Sequence, residues 1–266
     1  MLFFRLNTWV LVLLLVVVMA VATAAGLLIG RRMAAHGEHV REPFGVLQAA
    51  LIGFMGLILA FGLSLALGRY EDRRAAVVDE SNALGTAYLR AQTIAEPVRT
   101  ESLDLLRRYT DTSITLSRAV PGSDGFDRAV ATSTGYERRL WSLAGRALDE
   151  APVDSAPRLY VDSLNEAFDA QSSRVYVLTN RVPTAVLALE VAGAAIAVAA
   201  LALHLATFGR GLLTVLTVSL LVAILLVVTF DLDRPTRGVI DVPSTPLIDV
   251  RAGMAGPPAA EAPAGP

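Results

Sequence analysis

The chain contains no cysteine, no lysine and only three histidines, His36, His39 and His204. Without cysteine, disulfides and thiolate metal sites are excluded. His36 and His39 lie in one short loop with no third ligand near them in sequence, which argues against a zinc site. All 23 basic residues are arginine. That reads either as the codon usage of a GC-rich genome or as guanidinium groups placed to hold anions. Against 25 acidic residues they leave a formal net charge of −2, without the basic face that nucleic-acid binding needs. The chain also lacks a glycine-rich phosphate loop after a strand, a nucleophile elbow and a histidine-rich metal cluster. An enzyme, a cofactor and a resident metal are therefore not expected. Over 69–183 neither a β-type alternation nor a repeat of fixed period is visible.

What the chain has in quantity is apolar sequence. Hydrophobic residues make up 54% of its 266 positions, and the mean hydropathy is +0.53. A bilayer core about 30 Å thick is crossed by about 20 apolar residues of helix. Four runs meet that length: Asn7 to Ile29, Phe44 to Gly68, about Thr184 to Ala206, and about Leu212 to Phe230. Ala22-Thr23-Ala24 resembles a signal-peptide cleavage site, but the run is long for one. Arg31-Arg32 follows it like a stop-transfer anchor, so a retained span is expected. The link Thr207-Phe208-Gly209-Arg210-Gly211 reads as a tight antiparallel hairpin. Arginines near the span ends divide eight against four: Arg5, Arg69, Arg73, Arg74, Arg174, Arg181, Arg234 and Arg237 on one side, and Arg31, Arg32, Arg41 and Arg210 on the other. The positive-inside rule then puts both termini and the long segment between spans two and three in the cytoplasm of an inner-membrane protein.

The expected fold class is an all-α, four-span membrane protein with a helical cytoplasmic bundle inserted between the second and third spans. Its divisions are 1–68, with spans one and two; 69–183, the bundle; 184–230, with spans three and four; 231–251, an extended strap; and 252–266, a disordered Ala/Gly/Pro tail. Prolines at Pro97, Pro121, Pro152 and Pro183 set off helices over roughly 69–95, 98–118, 124–149 and 155–181. Pro121-Gly122-Ser123-Asp124-Gly125 is the clearest loop. Nothing breaks the helix after Gly68, so the second span should continue as one helix of about 50 residues, roughly 75 Å long. The last bundle helix should run into the third span, with Pro183 as a kink or junction.

Candidate site residues cluster on and after the second span. Ala49, Gly53, Gly56, Ala60 and Ser64 recur at four- and three-residue steps, a small-residue seam of the kind that lets helices approach closely in lipid. A second face carries Phe54, Leu57, Phe61 and Leu65. It reads as a packing or lipid-facing stripe, or as a hydrophobic constriction that gates a pore by dewetting. Beyond the span, Arg69, Asp72, Arg73, Glu80, Asn82 and Thr86 read as a solvated interfacial surface with intrahelical ion pairs, or as a buried polar ladder. Glu190 is an acid inside the third span, where ionisable groups are costly. It reads as a proton or cation site or an arginine's partner, or as a group that snorkels to the interface. His204, near the far end of that span, is expected at the interface.

Phe44 to Ala91 resembles the bestrophin-like family of bacterial membrane proteins. The resemblance is carried by Gly45-Val46-Leu47-Gln48, Leu59-Ala60-Phe61, Arg69-Tyr70, Arg73-Arg74 and Asp79-Glu80-Ser81-Asn82-Ala83-Leu84-Gly85-Thr86-Ala87-Tyr88-Leu89-Arg90. Asp231-Leu232-Asp233-Arg234-Pro235-Thr236-Arg237-Gly238 resembles the family as well, so the likeness covers nearly the whole chain. It implies a more distant similarity to bestrophins, pentameric anion channels whose second helix lines the pore and carries a hydrophobic neck. On that similarity Phe54, Leu57, Phe61 and Ser64 are neck and pore candidates, the chain is a homo-oligomer in a lipid bilayer, and small anions are its permeant ions. Asp231 and Asp233 fall where bestrophins carry an acidic calcium clasp. Arg234 and Thr236 depart from that pattern, and two carboxylates fall short of the roughly six to eight oxygens calcium takes. Three functions remain in view: an anion channel, a non-conducting scaffold or sensor whose bundle binds a partner, and a transporter using Glu190.

Overall fold

The computed structural model describes residues 8–34, 41–209, 211–236 and 238–260, with side chains at all of these except 41–44. The expectations placed on Arg5, Asn7, His36, His39, Arg210, Arg237 and 261–266 lie outside the described residues. Among the described residues every regular element is a helix. They are α1 Thr8–Ala34, α2 Arg41–Ala91, α3 Val98–Arg118, α4 Asp124–Glu150, α5 Ser155–Thr179, α6 Thr184–Ala206, α7 Leu212–Leu232 and α8 Thr245–Gly253. Four helices are long and apolar enough to cross a membrane: α1, α2, α6 and α7.

Local chemistry explains the boundaries. α1 ends in Arg31 and Arg32, whose charge suits the negative end of the helix dipole. Ser123 caps α4 by accepting the Phe126 N–H, and Asp154 caps α5 by accepting the Ala156 N–H, both at 3.3 Å. Gly211 precedes α7 with φ +99°, a left-handed conformation open to glycine. α2 runs unbroken for 51 residues, as its lack of breakers predicts.

Two expectations change. The fourth bundle helix does not continue into the third span. α5 stops at Thr179, Asn180 is extended at φ −77° and ψ 126°, and α6 restarts after Pro183. Proline has no N–H to give the preceding turn and pushes the residue before it out of the helical region. The strap expected to be extended over 231–251 is helical over Thr245–Gly253, with Pro246 in its first turn, where proline is tolerated. Residues 254–260 of the expected disordered tail are held as well. Met254 is buried, and Ala260 exchanges hydrogen bonds with Gln92 and Arg99.

The chain divides into two compact units. The first comprises 1–69 and 182–240. Its core joins Leu11, Leu15 and Met19 of α1, Met55 and Leu59 of α2, Leu187, Ala194 and Val198 of α6, and Leu226 and Phe230 of α7. Close approach here depends on glycine. A Cβ on Gly26 would lie 2.8 Å from the Ala202 Cβ and closer still to the Ala199 carbonyl oxygen, and one on Gly30 would lie 2.8 Å from the Ala206 Cβ. α1 and α7 are also joined by a 2.9 Å bond between Thr23 and Ser219. Ser219 donates its own proton to Val215 O, so Thr23 is the donor.

The second unit comprises 70–181 and 241–266. Its core holds Leu84, Ala87 and Tyr88 of α2, Leu106 and Tyr109 of α3, Leu140 and Ala144 of α4, Tyr160 and Leu164 of α5, and Leu247 and Met254 from the C-terminal segment.

Candidate functional site

In the first unit, α2 turns Met55, Leu59, Gly62 and Ala66 inward. That leaves Phe54, Leu57 and Phe61 outward, at 61%, 54% and 63% exposure. Leu65 and Ser64 are exposed beside them. The seam of Ala49, Gly53, Gly56, Ala60 and Ser64 is exposed too, and a Cβ on Gly53 or Gly56 would meet nothing within 4 Å. The expected small-residue seam is thus not the face on which the unit packs. Gly26, Gly30, Gly62 and Gly193 make the close approaches instead. The four-residue spacing of Gly26 and Gly30 is a signal the sequence offered. Gly62 and Gly193 had none.

Glu190, on α6, is fully buried. Its carboxylate occupies the space a side chain at Gly62 would fill. Neither oxygen has a hydrogen-bond partner among the described residues. The reading as a snorkelling interfacial group therefore fails, because a snorkelling carboxylate reaches water. His204 sits near Gly45, which a Cβ would bring to 3.2 Å from its ring, and meets Phe208 edge-on at 5.1 Å between ring centres.

Asp231 and Asp233 are buried and serve the backbone. Asp231 Oδ2 accepts the N–H groups of Val239 at 2.8 Å and Ile240 at 2.9 Å. A Cβ on Gly238 would crowd its two oxygens at 2.8 Å. Asp233 Oδ1 accepts the Val182 N–H at 3.0 Å. Among the described residues no three His, Asp or Glu converge as a metal site. The two acids tie down the chain after α7 and before α6.

In the second unit the expected polar ladder splits. Asp72 and Asn82 are exposed, Thr86 is half-buried, and Arg73 and Glu80 are buried; Arg69, the last α2 residue of the first unit, is half-buried. The exposed Arg74 and Glu71 form an intrahelical pair at 3.9 Å. Arg73 donates to Val177 O at 3.3 Å and Asn180 O at 3.1 Å, serving carbonyls that the end of α5 leaves open. Glu80 pairs with Arg174 of α5, and its second oxygen accepts the Ser113 hydroxyl at 2.6 Å. Arg174 also donates to Ser113 O and to the Ser117 hydroxyl.

Beside this pair the Tyr109 hydroxyl lies 2.7 Å from Gln171 Oε1 and 3.0 Å from Glu137 Oε1. Burial pushes the Tyr109 phenol well above its ordinary range, and the Glu137 and Glu80 charges push the same way. Burial also raises the Glu137 carboxyl; its hydrogen bond with Tyr109 opposes the rise, and the Glu80 charge adds to it. One phenolic proton cannot serve two acceptors at full strength, so Glu137 and Gln171 compete for the Tyr109 hydroxyl. No short motif marks Ser113, Ser117, Tyr109, Glu137, Gln171 or Arg174, because they come from three helices far apart in sequence.

The model of the bestrophin-like domain family matches residues 12–247. No curated protein matches the chain. Among solved structures, a point variant of a bacterial bestrophin homologue from Klebsiella pneumoniae is similar at TM-score 0.63 and 16% identity, covering 92% of this chain and 96% of the other. Another structure of that homologue gives TM-score 0.64 and 14% identity over 91% and 95% of the two chains. A third, also a point variant, gives 0.67 and 14% over 94% and 97%. At these identities the structures show a shared fold, and the family match over most of the chain adds membership: the chain belongs to the bestrophin-like family.

Proposed function

We propose that the chain is one subunit of an oligomeric ion channel of bestrophin type in the cell's inner membrane. In this reading α2 lines the pore, Phe54, Leu57 and Phe61 form a hydrophobic neck with Ser64 next to it, and the helical unit 70–181 and both termini are cytoplasmic. One observation carries the proposal. α2 leaves a continuous face of large apolar side chains unpartnered in its own unit, and beside it Gly53 and Gly56 leave room for another helix to come close. Likeness to bestrophins supports five subunits and small anions as the permeant species.

The electrostatics of α2 make the permeant ion the sharpest part of the proposal. Asp72 follows Phe54, and Asp79 follows Phe61, by about five whole helical turns. Both acids are exposed in the second unit. Acidic groups along a pore favour cations. The test is ion flux from liposomes containing the purified protein, with Phe61→Ala in parallel and reversal potentials measured under a salt gradient. Chloride flux that rises in Phe61→Ala supports an anion pore with a hydrophobic neck. A reversal potential on the cation side, moving toward zero in Asp72→Asn/Asp79→Asn, keeps the pore and removes the anion. No flux from either protein, with a stable oligomer in the same preparation, leaves a scaffold or sensor whose helical unit binds a partner.

A further inference from the structure

Glu190 stands alone in an apolar layer. The sequence has no ionisable side chain between Thr8 and Gly30 in α1, between Gly45 and Gly68 in α2, or between Leu212 and Phe230 in α7. On α6 the other ionisable residue is His204, about four turns further on. The remaining charges stand at or beyond the helix ends, among them Arg31 and Arg32 on α1, Arg41, Glu42 and Arg69 on α2, Arg181 before α6, Arg210 between α6 and α7, and Asp231, Asp233 and Arg234 at the end of α7. Asp231 and Asp233 are already engaged with backbone N–H groups.

The Glu190 carboxyl is sealed from solvent and receives no donor among the described residues. An ionised carboxylate in such a place carries a large desolvation cost with nothing to offset it. A neutral acid carries far less. Because both oxygens are enclosed, an arginine from a second copy could not reach them without opening the packing. A metal cation is a poor fit too, since it would take about six oxygens where the carboxyl offers two. What the site accommodates is a proton.

The neighbour of that carboxyl is Gly62 of α2, where any side chain would overlap it. The Glu190 carboxyl therefore sits in the contact between α6 and α2 itself. We propose that Glu190 is a proton-binding site that locks α2 onto α6. When the O–H bond breaks, the proton passes to water, the carboxylate draws water in, and the two helices part at Gly62. The consequence for ion flux rests on the reading of α2 as the pore helix; the proton site itself does not.

The absence of cysteine makes the test clean. Spin labels at Leu67→Cys and Leu189→Cys, both exposed positions of the first unit, report the α2–α6 separation in the full-length protein in lipid nanodiscs. Infrared spectra of the same samples report the protonated carboxyl. With Glu190 present, raising the pH should remove a carboxylic-acid band and lengthen the label distance over one range. In Glu190→Gln, a neutral isostere, both changes should be lost and the distance should stay at its acid value. Glu190→Leu serves as a second non-titrating variant should the glutamine not assemble. A distance that is constant with pH in the parent, or that lengthens equally in the variants, overturns the proposal. A curve that shifts when sodium replaces choline overturns it in favour of a cation. If the distance responds as expected and no flux is found, the channel reading fails and the proton site stands.

Discussion

Glu80 and Arg174, 94 residues apart in sequence, form an ion pair in the second unit from which water is excluded. Ser113 completes it from both sides, donating its hydroxyl to Glu80 and accepting from Arg174 through its carbonyl. A buried pair of this kind owes its stability to geometry, and removing one member strands a charge. Arg174→Met or Glu80→Leu alone should each cost about 3–5 kcal/mol. The double replacement should recover most of that loss. Thermal unfolding of the purified protein and its three variants measures the difference. Single-variant losses that simply add in the double would show that the two side chains do not act as a pair.

Gly26 meets the backbone oxygen of Ala199, which cannot move aside as a side-chain tip can. Gly26→Ala should therefore destabilise the first unit by about 1–3 kcal/mol, the usual range for overpacking. Gly53→Leu is the contrast. Nothing lies within 4 Å of a Cβ there, so the single chain should keep its melting temperature while the oligomer fraction falls in size-exclusion chromatography. An unchanged oligomer in Gly53→Leu would count against the face proposed for the pore.

Alkaline pH should unfold the second unit through its tyrosines. Burial pushes Tyr160 up from 10.0 to about 12, with the Ser102 hydroxyl pulling the other way. The folded chain thus holds this proton more tightly than the unfolded chain. Stability falls as pH rises from about 10 to about 12, and Tyr109 acts in the same direction. Glu137 repeats the logic at lower pH: its raised carboxyl means that stability declines as pH climbs out of the ordinary carboxylate range. Melting temperature against pH should show both declines, with Tyr160→Phe flattening the alkaline one and Glu137→Gln the acidic one.

The C-terminal segment is part of the second unit's core. Leu247 and Met254 are buried, Met254 O accepts from Tyr88 and Arg107 at 3.0 and 2.9 Å, and Ser81 donates to Pro246 O at 2.9 Å. Truncation after Ser244 uncovers two large apolar side chains' worth of contact, each worth about 1.5–3 kcal/mol. It should lower the melting temperature and open the second unit to limited proteolysis. Arg251→Ala removes only the partly exposed pair with Asp111 and should cost less than about 1 kcal/mol. Equal effects of the two changes would mean that the ion pair, rather than the burial, holds the segment.

The helix layout was legible in the amino-acid sequence because its causes are local. Apolar runs of membrane length and prolines at 97, 121, 152 and 183 set off the helices without reference to distant residues. The family resemblance was legible for the same reason, being carried by contiguous motifs on α2 and after α7. Which face of α2 packs was not. A span apolar all round looks the same from every side, and its neighbours decide between the Gly53 face and the Gly62 face. The helix at Thr245–Gly253 escaped notice because its apolar residues gain a partner only when the second unit forms. Glu80 could be seen as an acid on a helix, but its burial against Arg174 required α2, α3 and α5 to come together. Glu190 could be seen as a charge in the wrong solvent. Only the tertiary structure showed that its neighbour is Gly62, because that contact joins two helices whose pairing no local pattern encodes.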